Sequence, residues 1–210
     1  MSAPVAGSDR LADLTKRIGA CRVCVDTPSG APLPHEPRPV LRVSATARIC
    51  VCGQAPGTRV HASGIPFDDP SGDRLRDWMG VTRAEFYDES RVAIVPMGFC
   101  FPGLNDKGAD LPPRKECART WRAALFDALP RFDLVLLIGY HAQKWHLAGE
   151  VRRNLTETVA DWRSFAARDT TPRYLPLPHP SWRNSGWLKR NPWFGEEVVP
   201  YLRAEVRRLL

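Results

Sequence analysis

Four short apolar runs stand out in the pattern of hydrophobic and polar positions, and they predict four β-strands. These runs span residues 48–52, 92–97, 134–139 and 174–177. The first three are rich in Val, Ile or Leu without alternation, which is typical of parallel strands covered on both faces. The fourth run is short and contains Pro176, so we expect it at an edge of the sheet.

Segments with helical spacing of apolar residues lie between and around these runs. They span residues 9–19, 72–79, 83–88, 118–129, 154–167 and 196–210. Strands that alternate with helices predict an α/β fold, a three-layer α/β/α sandwich with a central, mostly parallel four-stranded sheet. Neither an internal repeat nor a composition break is visible, so we expect residues 1–210 to form a single domain.

Three loops with polar chemistry follow the predicted strands. The first, residues 53–67, reads GQAPGTRVHASGIPF, and its three glycines and two prolines predict a shaped loop without regular structure. The others span residues 97–106 and 178–184. Because the carboxyl ends of parallel strands lie at one edge of a sheet, we expect the three loops to build one cleft. Residues 26–40 carry five prolines and are predicted to be a surface excursion.

The composition is that of a globular protein with a basic surplus. Hydrophobic residues make up 43% of the chain and the formal net charge is +7, mostly from arginine. No apolar run approaches the ~20 residues of a membrane span, and the first residues lack the features of a signal peptide, so we expect a cytosolic protein. The charge suits a polyanionic partner, although arginine-rich composition also accompanies GC-rich coding sequence.

Six cysteines are a candidate source of metal ligands, because disulfides are rare in a reducing compartment. A Cys-x2-Cys pair at 21–24, together with Cys100 and Cys117, could bind zinc or an iron–sulfur cluster. The spacing alone does not separate the two. Cys50 and Cys52 lie inside the first strand and are expected to be buried free thiols.

His179 is the most prominent candidate for catalysis, because a proline on each side fixes its backbone. A histidine so placed could donate a hydrogen bond to a developing oxyanion, and the alternative is a histidine that caps a turn. The P-loop, the dinucleotide fingerprint and the nucleophile elbow of ester hydrolases are all missing from the sequence.

Taken together, the motifs resemble those of the uracil-DNA glycosylase superfamily. GQAPG at 53–57, GIPF at 64–67 and HPSWR at 179–183 match in order, and the cysteine pattern is similar to that of family 4 and related iron–sulfur branches. The resemblance implies a monofunctional, monomeric enzyme that hydrolyses the N-glycosidic bond of a flipped-out deoxyuridine in base excision repair. Its partners would be single- or double-stranded uracil-containing DNA and free uracil as product, with no membrane.

The resemblance implies roles for residues of the base pocket. His179 would hydrogen-bond uracil O2 and stabilise the departing anion, and Phe67 would stack on the ring, although a core plug is the alternative for Phe67. The backbone at Gln54 and Ala55 would contact the pyrimidine edge. Gly57 stands where one branch has a tyrosine that excludes the methyl group of thymine.

Further substrate and DNA contacts follow by the same similarity. The uracil-reading amide of relatives would fall at Leu104, so Asn105 is predicted to serve with a shift of one residue, and a turn-forming role is its alternative. Ser181 is predicted to bind substrate. Trp182 and Arg183 would fill the emptied base stack and touch phosphate.

The resemblance also implies a 4Fe–4S cluster of structural role, with zinc as the alternative. Its ligands would be the four cysteines that match the pattern, namely Cys21, Cys24, Cys100 and Cys117. The loop between the last two carries Arg114 and Lys115, which are candidate phosphate contacts.

The sequence departs from the resemblance at Gln54, where family 4 has a glutamate. A neutral amide can orient a water molecule but cannot take its proton, so Gln54 is predicted to position water without acting as a strong base. Asp68 and Asp69 are candidates for a carboxylate from elsewhere, and His61 is another possible polar partner. The alternative function is a non-catalytic DNA- or lesion-binding module on the same scaffold, and a further one is a zinc-binding protein.

Overall fold

The fold, described over residues 6–210 by a computed structural model, is built on one four-stranded parallel sheet. The strands are β1 (Ile49–Cys52), β2 (Val92–Ile94), β3 (Leu134–Ile138) and β4 (Arg173–Leu177), in the order β2-β1-β3-β4. All four predicted strands are confirmed, and β4 lies at an edge as expected. Residues 1–5 lie outside the described residues. The predicted domain and the segment searched for a signal peptide both begin there.

Both faces of the sheet are buried, which explains why its strands are apolar without alternation. Ile49 and Val51 of β1 pack into one core cluster, whereas Cys50 and Cys52 point into the other. Helices cover each face, so the predicted α/β/α sandwich is confirmed.

Eleven α-helices surround the sheet in the described part of the chain. They are α1 (Ala6–Gly19), α2 (Val23–Asp26), α3 (Thr58–Ser63), α4 (Pro70–Met79), α5 (Arg83–Phe86), α6 (Lys115–Ala128), α7 (Tyr140–His146), α8 (Leu155–Ala160), α9 (Trp162–Ala166), α10 (Ser185–Arg190) and α11 (Val199–Leu209). Short 3-10 turns span Ala148–Glu150 and Trp182–Asn184, and a π-helical turn, Phe194–Val198, precedes α11. None of the described helices is both long and apolar enough to cross a membrane.

The segment predicted as one helix over 154–167 is two helices, because the chain breaks at Asp161 between α8 and α9. The prediction that 53–67 lacks regular structure is wrong, since the loop contains α3. Gly57, in extended conformation, precedes this helix, and Gly64 ends it with a φ of 72°. The glycines therefore delimit a helix of six residues rather than prevent one.

The order of the strands places a crevice beside the carboxyl end of β1. The chain leaves β1 towards β2 on one side and returns to β3 on the other, so the direction of the connections changes at β1. In open α/β sheets this is the position where ligands bind.

Candidate active site

A cavity of about 330 Å³ opens at the carboxyl edge of the sheet. Its walls come from the first loop with the start of α4, and from the loop after β4 that carries His179. Ile94 and Pro96 line it from β2 and the segment that follows. The first and third predicted loops therefore meet as expected. From the second, residues 97–106 do not line the cavity, but Asp110, a little further on, does.

His179 is held as a neutral hydrogen-bond donor. The backbone N–H of Ser181 donates to its Nδ1 over 3.2 Å, so a neutral imidazole carries its proton on Nε2. Burial lowers the pKa of His179, and the nearby charge of Asp69 raises it by less. The ring is therefore uncharged near neutral pH and can donate from Nε2 to a ligand in the cavity.

The loop that carries His179 is fixed to α4. Arg74 donates to Ser181 O over 3.0 Å and to Ser185 Oγ over 3.3 Å. Asn184 Nδ2 donates to His179 O over 2.7 Å. These bonds hold the imidazole against the start of α4, the other wall of the cavity.

Phe67 presents its ring to the cavity from an unusual backbone conformation. Its φ is 56°, a left-handed value that is uncommon for a residue with a side chain. A Cβ on Gly53 would lie 3.1 Å from Phe67 Cζ, and a Cβ on Gly72 would lie 1.8 Å from Phe67 O. Its ring also meets Phe86 edge-on at 6.1 Å. The two glycines and Phe86 thus fix the aromatic wall of the cavity.

The first loop lines the cavity with Gln54, Ala55 and Gly57. The carbonyl of Gln54 accepts a hydrogen bond from Gly98 N over 3.0 Å, which fixes the backbone at the loop's start. A Cβ on Gly57 would lie 3.3 Å from Asp110 Oδ2. The lack of a side chain at Gly57 therefore leaves the space that the Asp110 carboxylate approaches.

Asp110 is a cavity residue that the sequence did not predict. The chain returns to the cavity through an antiparallel β-bridge between Leu104 and Asp110. Within this turn, Asn105 Oδ1 accepts a hydrogen bond from Lys107 N over 3.0 Å and one from Ala109 N over 2.9 Å. Asn105 thus forms the turn and lies outside the cavity lining, and its predicted contact with uracil stays a prediction.

The two acidic residues after Phe67 have different surroundings. Asp68 lies outside the cavity lining and pairs with Arg83 over 2.8 Å, an interaction that lowers the pKa of Asp68. Asp69 lines the cavity and accepts a hydrogen bond from Gly72 N over 2.8 Å as the N-cap of α4. The structure places Asp68 and His61 outside the cavity lining, and a water-activating role for either stays a prediction.

The rim of the cavity is basic and aromatic. Trp182 is 70% exposed, and the guanidinium of Arg183 lies 5.8 Å from its ring centre. Arg59, which the sequence analysis did not single out, lines the cavity from α3. Arg114 donates within the protein to Glu116 Oε1 and to Ala31 O, and its predicted phosphate contact stays a prediction. Lys115 is exposed at the start of α6.

Four cysteine side chains converge beside α6. Burial raises the pKa of Cys24, of Cys100 and of Cys117, and interactions among the cysteines add a smaller rise, so the four sulfurs lie within electrostatic range of one another. They are the four predicted ligands. All four are free thiols, as are Cys50 and Cys52, whose predicted burial in β1 is confirmed.

Two of these sulfurs accept hydrogen bonds from neighbouring N–H groups. Phe99 N donates to Cys117 Sγ over 3.3 Å, and Trp121 Nε1 donates to Cys21 Sγ over 3.1 Å. Burial raises the pKa of Cys100 and of Cys117 to about 12, so these thiols need a bound cation to ionise. The described side chains do not form a ready-made group of three or more ligands for a metal ion.

The parallel sheet and the cavity at its carboxyl edge define an α/β protein with a candidate site for a small planar ligand under a basic rim. The family model described as the uracil DNA glycosylase superfamily matches residues 42–203. The chain therefore belongs to this superfamily, whose members are DNA glycosylases. The match includes every cavity residue from the first loop onwards, but it begins after Cys21 and Cys24.

Proposed function

We propose that the protein is a monofunctional uracil-DNA glycosylase, which releases uracil from a flipped-out deoxyuridine and leaves an abasic site. The observation that carries this proposal is that a neutral His179 and the ring of Phe67 line one cavity at the carboxyl edge of the sheet. The reaction needs both features, since the departing base is flat and carries negative charge.

His179 would act on the leaving group. As the bond between the sugar and uracil N1 breaks, negative charge spreads onto uracil O2, and a hydrogen bond from His179 Nε2 would strengthen with that charge. The neutral ring suits this role because it stabilises the anion without transferring a proton. The Ser181 bond to Nδ1 keeps the donating proton on Nε2.

The aromatic ring and the first loop would hold the base. Phe67 would stack on uracil, and the backbone at Gln54 and Ala55 would contact the edge of the pyrimidine. Gln54 would also orient water near the sugar. Ser181 would contribute through the backbone N–H that fixes His179, because its hydroxyl accepts from Arg183 N over 3.3 Å.

The rim would bind DNA. Trp182 would enter the space that the flipped nucleotide leaves, and Arg183, Arg59 and Lys115 would contact phosphates. The net charge of +7 agrees with such a partner.

A 4Fe–4S cluster on the four converging cysteines would be the cofactor, with zinc as the alternative. When bound, the cluster would supply structural cross-linking rather than chemistry at the sugar. The ligands sit on three separate segments, and the cluster would fix α2 and the loop before α6 to the edge of the sheet.

Base release is the direct test. Uracil-containing single- and double-stranded oligonucleotides are incubated with excess protein, and release is measured beside hypoxanthine, xanthine and thymine substrates. We expect uracil release by the wild type and a loss of about a hundredfold or more for His179→Ala. His141→Ala is the matched control, since His141 lies outside the cavity. Failure of the wild type to release any base contradicts the proposal.

A non-catalytic DNA- or lesion-binding module is the second candidate, favoured by the neutral Gln54 in the first loop. It predicts binding of uracil-containing DNA without release, and equal binding by the wild type and His179→Ala. The release assay and a binding assay on the same oligonucleotides separate the two functions.

A further inference from the structure

The cavity lacks a carboxylate where one is expected from the resemblance, because Gln54 is neutral. Of the acidic residues after the first loop, Asp68 is paired with Arg83, and Asp69 accepts the N-terminal hydrogen bond of α4. Asp69 also lines the cavity, but its Oδ1 is committed to capping α4. A carboxylate with neither oxygen engaged therefore has to come from another part of the chain.

Asp110 brings a carboxylate into the cavity from the loop between β2 and α6. Its Oδ2 lies 3.3 Å from the position of a Cβ on Gly57, two residues beyond Ala55 in the first loop. The return of the chain is fixed by the Leu104–Asp110 bridge and by Leu111 N, which donates to Gly103 O over 2.9 Å. The backbone that carries the carboxylate is therefore fixed by pairing at Asp110 and at the next residue.

The Asp110 side chain is not used to hold the structure together. In the described part of the chain only the charges of Arg183 and Asp69 act on it, and neither hydrogen bond nor ion pair engages it. A carboxylate on a rim that binds DNA repels phosphate, so the position is unfavourable for binding alone. An unengaged carboxylate beside Gly57 is the arrangement that a general base requires.

We propose that Asp110 is a catalytic residue that accepts the proton of the attacking water, an inference that rests on the proposed function. The water oxygen bonds to C1′ of the sugar as the bond from C1′ to uracil N1 breaks. The electron pair of that bond leaves with uracil, which His179 stabilises as an anion. The water proton passes to Asp110 and then to solvent, and the uracil anion takes a proton from solvent after release.

The electrostatic surroundings of Asp110 support this role. The Asp110 residue is exposed as a whole, but partial desolvation raises the pKa of its carboxyl; the charge of Arg183 opposes the shift and that of Asp69 adds to it. A raised pKa makes a carboxylate a better proton acceptor near neutral pH. The reactive form is the ionised one, so the rate should fall as the pH falls through the pKa of Asp110.

Single-turnover release of uracil from a labelled oligonucleotide tests the proposal on the full chain. We expect Asp110→Asn to slow release about a hundredfold or more with unchanged DNA binding. Asp110→Glu should recover part of the rate, and the acid limb of the pH profile should vanish in Asp110→Asn. Asp106→Asn is the matched control, because Asp106 lies in the same loop and outside the cavity.

Two outcomes overturn the proposal while the proposed function stands. One is an Asp110→Asn rate within threefold of the wild type while His179→Ala is inactive. The other is an undiminished uracil rate together with new release of thymine, which would make Asp110 a specificity residue. If the wild type releases no base, the proposed function fails first and this inference falls with it. Thermal unfolding of each variant checks that the loop change leaves the fold intact.

Discussion

The backbone N–H of Ser181 lies 3.2 Å from His179 Nδ1 and donates to it. This bond decides which nitrogen of the imidazole holds the proton. Burial lowers the pKa of the ring, so the neutral imidazole carries a single N–H proton. The loop sequence His-Pro-Ser therefore presents a single donor to the cavity.

The first prediction concerns the pH dependence of stability. Burial lowers the pKa of folded His179, whereas the unfolded chain titrates near an ordinary value of about 6.5. Between these two values the unfolded state binds a proton that the folded state does not. The stability that the neutral ring contributes is therefore present above about pH 6.5. It is lost as the pH falls towards the pKa of His179 in the folded state, and the free energy of unfolding then changes by at most about 1.4 kcal/mol per pH unit.

Urea unfolding at several pH values checks this dependence. We expect the wild type to lose more free energy of unfolding between neutral and mildly acidic pH than His179→Gln, which has no titrating ring. Equal losses in the two proteins would show that His179 does not keep a lowered pKa in the folded state.

The second prediction separates the two acidic residues after Phe67. Asp68→Asn should leave single-turnover release within about twofold of the wild type, because Asp68 pairs with Arg83 outside the cavity and exposed pairs contribute little. Asp69→Ala should lower the free energy of unfolding by about 1 kcal/mol, since α4 loses its N-cap. Release assays and urea unfolding of both variants measure these effects, and a strong loss of activity in Asp68→Asn would restore that residue as a base.

The strands and the wall formed by the first loop could be predicted because their signals are local. Apolar runs without alternation identify buried parallel strands, and the prolines around His179 mark a rigid loop whatever the rest of the chain does. The start of α4 is predicted two residues late, at residue 72, because Asp69 is interpreted from the sequence as a candidate carboxylate and not as the capping residue before Pro70.

The position of Asp110 in the cavity could not be predicted, because it depends on a turn in its own loop and on the space left by a glycine in the first loop. The carboxylate fits beside Gly57 only because that residue has no side chain, and the two are far apart in sequence. Arg114 has surroundings that could not be predicted for a similar reason. Its sequence position suggested DNA, whereas its guanidinium is taken by Glu116, a residue two places further along.

The third prediction tests the support of Phe67. A Cβ on Gly72 would lie 1.8 Å from Phe67 O, which no side-chain movement can relieve because the obstacle is backbone. We expect Gly72→Ala to destabilise the fold by about 2 kcal/mol or more and to reduce uracil release. Gly195→Ala is the control, since a Cβ there meets nothing within 4 Å. Thermal unfolding and single-turnover release of both variants provide the measurement, and equal stability would contradict the contact.

The fourth prediction concerns a buried arginine beneath the cavity. Arg122 is 1% exposed, donates to Pro96 O over 3.0 Å and lies 2.6 Å from His146 Nε2. Arg122→Ala should cost about 3 kcal/mol, because it leaves a core void and an unpaired carbonyl in the segment that lines the cavity. Arg119→Ala, on the exposed face of the same helix, should change stability by less than about 0.5 kcal/mol. Urea unfolding distinguishes these values.

The fifth prediction is that the four converging cysteines bind iron. Protein purified without oxygen should be brown and should contain iron and acid-labile sulfide, because the spacing of the four cysteines is similar to that of the iron–sulfur branches. Cys117→Ser should lose most of the iron and unfold at lower temperature, whereas Cys50→Ala, a buried cysteine outside the group, should keep the iron.

Colourless protein with one zinc per chain would support the alternative metal. Equal iron content in the two variants would show that the iron is bound elsewhere, and full stability of the wild type after chelation would argue against a structural role.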